Sequence, residues 1–124
     1  MILADTSVWI DHLHGANHTL QDLLQANEVA CHPCVIGELA CGSLAKRREV
    51  LAVLAQLPQV PQASHAETLW LLDHHHCYGR GIGWVDTHLL ASTALALETQ
   101  IWSRDKRLMA VATELGLAWP ATEP

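Results

Sequence analysis

Short apolar segments alternate along this chain with longer segments whose apolar residues recur at helical spacing, and no hairpin dipeptide joins two of the short segments. The short segments are predicted strands, at residues 1–4, 28–32, 100–103 and 117–119. The longer ones are predicted helices, at residues 18–26, 33–41, 43–57, 63–75, 84–99 and 106–115. Strands that alternate with helices pair in parallel, because each helix returns the chain to the same end of the sheet. The pattern therefore predicts an α/β fold with a central, mostly parallel sheet flanked by helices.

The size of the chain bounds how many domains it can form. It has 124 residues, half of them hydrophobic. A chain of this length buries roughly two-thirds of its unfolded surface, which is enough for one core and too little for two. We therefore expect a single domain over residues 1–124. The first residues carry no basic leader and reach Asp5 early, and four cysteines do not suggest a disulfide framework, so we expect a cytoplasmic protein without a membrane span.

The net charge of −6 at pH 7 disfavours nonspecific binding to nucleic acid, which depends on Lys and Arg. Any contact with phosphates must therefore be local. Arg80 lies in a loop with three glycines in five positions, and Arg104 belongs to a basic group with Lys106 and Arg107. Arg80 and Arg104 are the candidates for contacts with substrate phosphates, and the alternative for each is a solvated surface charge.

Four acidic residues stand where a parallel topology brings side chains to one edge. Asp5 and Asp105 follow predicted strands, Asp86 lies in the first turn of the helix after the glycine-rich loop, and Glu38 lies early in the helix after the second strand. Because the carboxyl ends of parallel strands and the starts of the following helices share an edge, we expect these acids to converge. Carboxylate oxygens suit Mg²⁺ or Mn²⁺, which can activate a water and stabilise a phosphodiester during displacement. The sequence therefore predicts metal-dependent hydrolysis, with these acids as catalytic metal ligands.

Each acid also has a simpler explanation. Asp5 and Asp105 could be helix N-caps, and Asp86 could be a first-turn residue favoured by the helix dipole. Glu38 could be an exposed position of an amphipathic helix. The joint placement of the four residues is what favours the catalytic interpretation.

Hydroxyl side chains accompany the acids in the sequence. Thr6 and Ser7 follow Asp5, and Ser103 precedes Asp105 by two residues. A hydroxyl can hold a carboxylate or a bound water in place by hydrogen bonds. We therefore expect Thr6, Ser7 and Ser103 to orient the acidic cluster.

The residues around these acids form ordered sequence blocks. The blocks are residues 2–10 (ILADTSVWI), 35–39 (VIGEL), 81–86 (GIGWVD) with 89–92 (LLAS), and 101–105 (IWSRD). Together they resemble the motif blocks of PIN-domain ribonucleases, with the closest likeness to the VapC-type toxins of toxin–antitoxin pairs. The resemblance extends over nearly the whole chain, and the ordered set is specific although each block alone is weak.

The resemblance implies a PIN-like three-layer α/β fold, Mg²⁺- or Mn²⁺-dependent endoribonuclease activity on RNA, homodimerisation and inhibition by a cognate antitoxin. It carries metal-site roles onto Asp5, Glu38 and Asp86, and onto Asp105 as the most variable of the family's acids. Ser103 stands where many relatives have Thr, a departure that keeps the hydroxyl.

Two alternative functions and one further metal site remain open. Cys31 and Cys34 flank His-Pro at a predicted strand-to-helix junction, which resembles a thioredoxin-like thiol-disulfide redox motif. A non-catalytic partner-binding module is the second alternative, although retention of all four acids argues against it. The histidines of residues 74–77 could bind zinc with Cys77, but adjacent residues on a helix point in different directions and cannot all share one ion.

Overall fold

The structure, a computed structural model, is described for residues 1–120. Its strands are β1 (Ile2–Ala4), β2 (Val29–Ala30) and β3 (Gln100–Trp102). Its helices are α1 (Thr6–His14), α2 (His18–Gln25), α3 (Pro33–Ala40), α4 (Arg47–Gln56), α5 (His65–His74), α6 (Trp84–Leu95) and α7 (Lys106–Glu114). The sheet has the order β2-β1-β3 with both pairings parallel, which confirms the predicted fold class. None of the helices in this described part is long and apolar enough to cross a bilayer.

The central strand β1 is buried over its whole length. Successive side chains of a strand point to opposite faces of the sheet. Ile2, Leu3 and Ala4 are nevertheless all buried, so both faces of the sheet are covered, as expected for a parallel sheet flanked by helices. This arrangement leaves the ends of the strands as the accessible part of the sheet, and Asp5 follows β1 there.

Helix α6 is the central buried helix that its composition predicts. Leu89 and Leu90 are fully buried, and so are hydroxyl side chains such as Thr87 and Thr93. The hydroxyl of Thr87 donates to the carbonyl of Gly83 at 2.9 Å, and that of Thr93 donates to the carbonyl of Leu89 at 2.7 Å. These bonds within the helix satisfy buried polar groups that would otherwise be destabilising.

Two helix boundaries differ from the prediction by more than two residues. Helix α6 ends at Leu95 rather than at residue 99, because Ala96 is extended and Glu98 adopts a left-handed φ of 54°. The chain must turn there to enter β3. This requirement of the tertiary structure outweighs the helix propensity of the residues that follow Leu95. Helix α4 begins at Arg47 rather than at residue 43, after Lys46 in the left-handed region with φ of 54°.

The predicted terminal strand at residues 117–119 is reduced to a single parallel bridge between Ile101 and Ala118. The backbone N–H of Ile101 donates to the carbonyl of Leu117, and the N–H of Trp119 donates to the carbonyl of Ile101, both at 2.8 Å. These two bonds attach the segment to the outer edge of β3.

Candidate active site

Asp5 joins the end of β1 to the start of α1 and is both a helix cap and the most constrained of the four acids. Its Oδ1 accepts hydrogen bonds from the backbone N–H of Val8 at 3.3 Å and from the hydroxyl of Ser7 at 2.5 Å. Its Oδ2 accepts from the hydroxyl of Ser103 at 2.5 Å. Burial raises the pKa of Asp5, and the hydrogen bonds from Ser103 and Ser7 oppose that rise.

The two serines connect Asp5 to the segment after β3. The hydroxyl of Ser103 accepts from the backbone N–H of Asp105 at 2.9 Å, and the hydroxyl of Ser7 accepts from that of Arg104 at 2.9 Å. Each serine therefore donates its hydroxyl proton to Asp5 and accepts a hydrogen bond from a backbone N–H. The resulting network holds the carboxylate of Asp5 in one orientation. It brings Asp5 into direct contact with Ser103, which lies 98 positions away in the chain.

Glu38 reaches the site from the exposed side of α3. Its Oε1 accepts a hydrogen bond from the hydroxyl of Thr6 at 2.6 Å. Thr6 is the first residue of α1, directly after Asp5, so this bond places Glu38 beside the end of β1. Each of the three hydroxyl residues named from the sequence contacts one of the acids.

Asp86 lies in the first turn of α6 and is half-buried. Burial raises the pKa of Asp86, and the negative charges of Asp5 and Asp105 raise it further. Glu38 acts in the same direction, while a backbone hydrogen bond at Gly83 opposes these effects. All four acids are therefore close enough to interact, and their charges repel one another at Asp86.

Asp105 is the N-cap of α7, as its position predicts. Its Oδ1 accepts from the backbone N–H of Arg107 at 2.8 Å and of Leu108 at 3.2 Å. Both cap bonds use the same oxygen, and the charge of Asp105 still acts on Asp86. The cap explanation and a role in the acidic cluster are therefore compatible for this residue.

The acidic cluster fits a hard divalent cation. Among residues 1–120, these acids do not bring three carboxylate oxygens within 4.8 Å of one another, so they do not form a closed three-ligand cage. Mg²⁺ suits such an arrangement because it binds through one or two carboxylates and keeps several of its waters. The mutual repulsion at Asp86 is the feature that a cation would relieve.

The two candidate arginines form exposed ion pairs near this edge. Arg80 pairs with Glu114 at 2.7 Å, and Arg104 pairs with Asp11 at 3.0 Å. Arg107, a basic residue with no role of its own in the sequence analysis, packs against Gly81. Gly81 has a φ of +81°, which side chains rarely adopt, and a Cβ there would also lie 2.8 Å from Nη1 of Arg107, so a substitution would be strained. The close approach depends on tertiary contact, and no local pattern signals it.

The cysteine pair does not have the properties of a redox centre. Burial raises the pKa of Cys31 to about 11, and burial together with the charge of Glu38 raises the pKa of Cys34. Thiols that exchange disulfides have lowered pKa values and partial exposure, and Cys31 is fully buried. Both thiols are free. The structure therefore argues against the thiol-disulfide alternative.

The histidines at the end of α5 do not assemble a zinc site. His74 stacks on Trp70 with ring centroids 4.3 Å apart, and the thiol of Cys77 donates to the carbonyl of His75 at 3.7 Å. Within residues 1–120, the side chains of this segment form no group of three ligands close enough to share an ion. The separation of adjacent helical residues explains this outcome.

Comparison with known proteins gives concordant results. The PIN domain family model matches residues 2–114. The chain is 50% identical over 118 residues to Ribonuclease VapC32 of Mycobacterium tuberculosis strain CDC 1551 / Oshkosh, with 95% of each chain covered. It has the same identity and coverage to Ribonuclease VapC32 of strain ATCC 25618 / H37Rv. These matches confirm the resemblance drawn from the sequence blocks, and the chain belongs to the PIN-domain family.

Proposed function

We propose that this chain is an endoribonuclease that hydrolyses RNA phosphodiester bonds with Mg²⁺ or Mn²⁺ and acts as the toxin of a toxin–antitoxin pair. The observation that carries the proposal is the set of hydroxyl hydrogen bonds that gathers Glu38, Asp5 and the segment of Asp105 at the ends of β1 and β3, where their charges also act on Asp86. Like charges gathered in this way are stabilised by a divalent cation, and such a cation supports phosphodiester hydrolysis. The similar proteins are named ribonucleases, which agrees with this chemistry.

We assign each acid a role from its contacts. Asp5 is a metal ligand whose orientation is held by Ser7 and Ser103. Their hydrogen bonds favour the ionised form and so oppose the rise that burial causes in the pKa of Asp5. Asp86 is the second principal ligand. A bound Mg²⁺ or Mn²⁺ supplies charge compensation for the phosphodiester and an activated water.

The other two acids complete the site from either side. Glu38 is oriented by Thr6 and lies on the exposed face of α3, where it can hold the cation or the attacking water. The cap bonds of Asp105 use only Oδ1, so its Oδ2 is available to a metal-bound water. We therefore assign Asp105 the more peripheral role.

Arg80 and Arg104 are the proposed contacts for RNA phosphates. Both form exposed pairs with carboxylates. Exposed ion pairs contribute little stability, so a phosphate can replace Glu114 or Asp11 as the partner at small cost. Arg104 is also tied to the acidic centre through its backbone N–H, which donates to Ser7. Such local cations are needed because the chain has a net charge of −6.

The proposal is tested by cleavage of RNA by the purified chain with and without a chelator. We expect cleavage with Mg²⁺ or Mn²⁺, loss of cleavage in excess chelator, and recovery when Mg²⁺ is restored, because the acids alone cannot activate water. Circular dichroism in chelator serves as the control, since the core does not depend on the ion. Full cleavage in excess chelator would contradict metal dependence. Absence of cleavage with any RNA and either metal would contradict the enzyme and favour a partner-binding module.

The acidic cluster also suggests how a cognate antitoxin inhibits the chain. We expect its inhibitory segment to place an Arg or Lys among Asp5, Glu38 and Asp86, where charge-assisted hydrogen bonds replace the cation. Raising Mg²⁺ should then weaken inhibition, and so should removal of the basic residue. The measurement is a titration of RNA cleavage against the antitoxin peptide at several Mg²⁺ concentrations. If neither change shifts the inhibitory midpoint, the antitoxin acts by covering the RNA path instead.

We also propose a homodimer, as the family resemblance implies. Exposed apolar side chains on α5 and just after α6, among them Trp70 and Leu97, provide surface that association would bury. We propose a cytoplasmic location as well, because that is where a bacterial-type toxin meets RNA. The mass of the chain in solution tests the first statement, and fractionation of cells tests the second.

A further inference from the structure

A second group of metal-ligating side chains lies beside the acidic cluster and has no part in the function proposed above. One ring nitrogen of His32, one of His88 and the thiol of Cys34 all lie within 4.8 Å of one another. His32 caps α3, Cys34 lies in its first turn, and His88 lies on α6, so the group joins two helices. The rings of His32 and His88 are 5.6 Å apart and meet edge to face.

His32 is buried in one orientation. Its Nδ1 accepts a hydrogen bond from the backbone N–H of Cys34 at 2.9 Å, so that nitrogen carries no proton. The proton of the neutral ring therefore lies on Nε2, which is 2.9 Å from the hydroxyl oxygen of Ser92. The hydroxyl of Ser92 also accepts from the backbone N–H of Ala63 at 3.0 Å. A histidine that ligates a metal through one ring nitrogen usually donates the N–H of its other ring nitrogen to a neighbouring oxygen, which fixes the orientation of the ring.

His88 and Cys34 supply the other two donors. The Nδ1 of His88 is buried and has no hydrogen-bond partner within the described residues. Cys34 is a free thiol and only half-buried, which gives a cation a path from solvent. A buried ring nitrogen without a partner is rare, and it points to a ligand that this side chain is placed to receive.

We propose that His32, Cys34 and His88 form a second metal site that takes zinc-class cations and is separate from the carboxylate centre. Two imidazoles and one thiolate are the donor set preferred by Zn²⁺, whereas the carboxylates of the first site suit Mg²⁺. Binding forms a metal–sulfur bond and releases the thiol proton of Cys34 to solvent. Three protein ligands leave a fourth position for water.

Little movement is needed to close this site. For two nitrogens and one sulfur, donor atoms around a tetrahedral zinc lie roughly 3.3 to 3.6 Å apart, given Zn–N and Zn–S bond lengths of about 2.0 and 2.3 Å. The three donor atoms lie within 4.8 Å of one another, so each separation must shorten by at most about 1.5 Å. Coordination through Nδ1 of His32 exchanges its bond to the Cys34 N–H for the metal, and the contact with Ser92 keeps the ring in place.

The two sites are adjacent but chemically distinct. Cys34 and Glu38 are four residues apart on α3 and so share one face of that helix, and the charge of Glu38 acts on the thiol. His88 and Asp86 are two residues apart on α6 and point to different sides. A probe must therefore report the donor atoms, because stoichiometry alone would not tell which site is filled.

Cobalt is such a probe, because it replaces zinc and reports its ligands by absorption. We would titrate the purified full chain with Co²⁺ in excess Mg²⁺, which keeps the carboxylates occupied. One equivalent should produce a thiolate-to-cobalt charge-transfer band in the near ultraviolet and the visible bands of a tetrahedral site. Zn²⁺ should bleach both by displacing the cobalt. Oxygen ligands at the acidic centre would produce no charge-transfer band.

Matched variants identify the ligands. C34S should abolish the charge-transfer band, and H88Q should weaken Co²⁺ binding by about ten-fold or more. The controls are C41S, which removes an exposed thiol, and H65Q, which removes the other histidine that packs on Trp84. Both controls should bind Co²⁺ as the wild type does. D5N should also keep the band, because Asp5 belongs to the carboxylate site. The result of this test is therefore independent of whether the chain proves to be a nuclease.

Each of three results would overturn the proposal. They are a charge-transfer band that persists in folded C34S, wild-type Co²⁺ affinity in folded H88Q, and no band in the folded wild type. The two ligand variants are independent, so the proposal stays testable if one of them fails to fold by circular dichroism.

Discussion

Asp5→Asn is expected to lower the rate of RNA cleavage by about 10²-fold or more, with the fold retained. The amide has nearly the same shape but no charge, so it holds a divalent cation poorly. Ser7 and Ser103 can both donate and accept, so they can adjust to the amide by rotating their hydroxyls. The measurement is the single-turnover rate of cleavage over a range of Mg²⁺ concentrations.

Two further variants sharpen this test. Ser103→Ala removes one of the hydroxyls that orient Asp5, so we expect a loss of apparent Mg²⁺ affinity of about 10-fold, smaller than the loss from removing the charge. Asp73→Asn changes an exposed acid on α5 and should cleave at the wild-type rate. A folded Asp5→Asn variant that cleaves nearly as fast as the wild type would remove Asp5 from the site.

Asp86→Asn is expected to abolish cleavage and, in the absence of metal, to raise the stability of the fold. Burial and the neighbouring charges raise the pKa of Asp86 above its value in the unfolded chain. Above both pKa values the folded state must hold an unfavourable ionised carboxyl, and Asn avoids that charge. The thermal midpoint in chelator at neutral pH should therefore be higher for the variant than for the wild type.

The pH dependence of this difference follows from the same shift. As pH falls through the raised folded-state pKa, the wild-type carboxyl takes up its proton in the folded state. The advantage of the variant therefore shrinks, and it disappears below the ordinary pKa of Asp. Asp22→Asn, a change of an exposed acid on α2, serves as the control and should show no such difference.

Added Mg²⁺ should reverse the order of stabilities. A cation at about a hundred times its Kd stabilises the wild type by about 2.7 kcal/mol, because it binds only the folded state. The variant lacks a principal ligand and gains much less. A midpoint for Asp86→Asn that is lower than the wild type in chelator would contradict the repulsion among the acids. An equal response of both proteins to Mg²⁺ would contradict the role of Asp86 as a ligand.

The sequence by itself determined the features that depend on local pattern. Apolar runs that end in an acid mark β1 and β3, and Asp5 and Asp105 are N-caps because a carboxylate at that position reaches the first free N–H groups of a helix. The parallel sheet follows from the alternation of strands and helices. These features depend on hydrogen bonds and periodicities that span only a few residues, so a short stretch of sequence is enough to predict them.

The tertiary structure alone decided which of these groups meet and how strongly they interact. The contact of Ser103 with Asp5 joins residues 98 positions apart, and it exists because β3 pairs directly with β1. The raised pKa of Asp86 depends on burial and on charges from three other segments. The early end of α6 and the grouping of His32 with His88 likewise follow from packing. Burial and long-range proximity are properties of the assembled core, so no local pattern contains them.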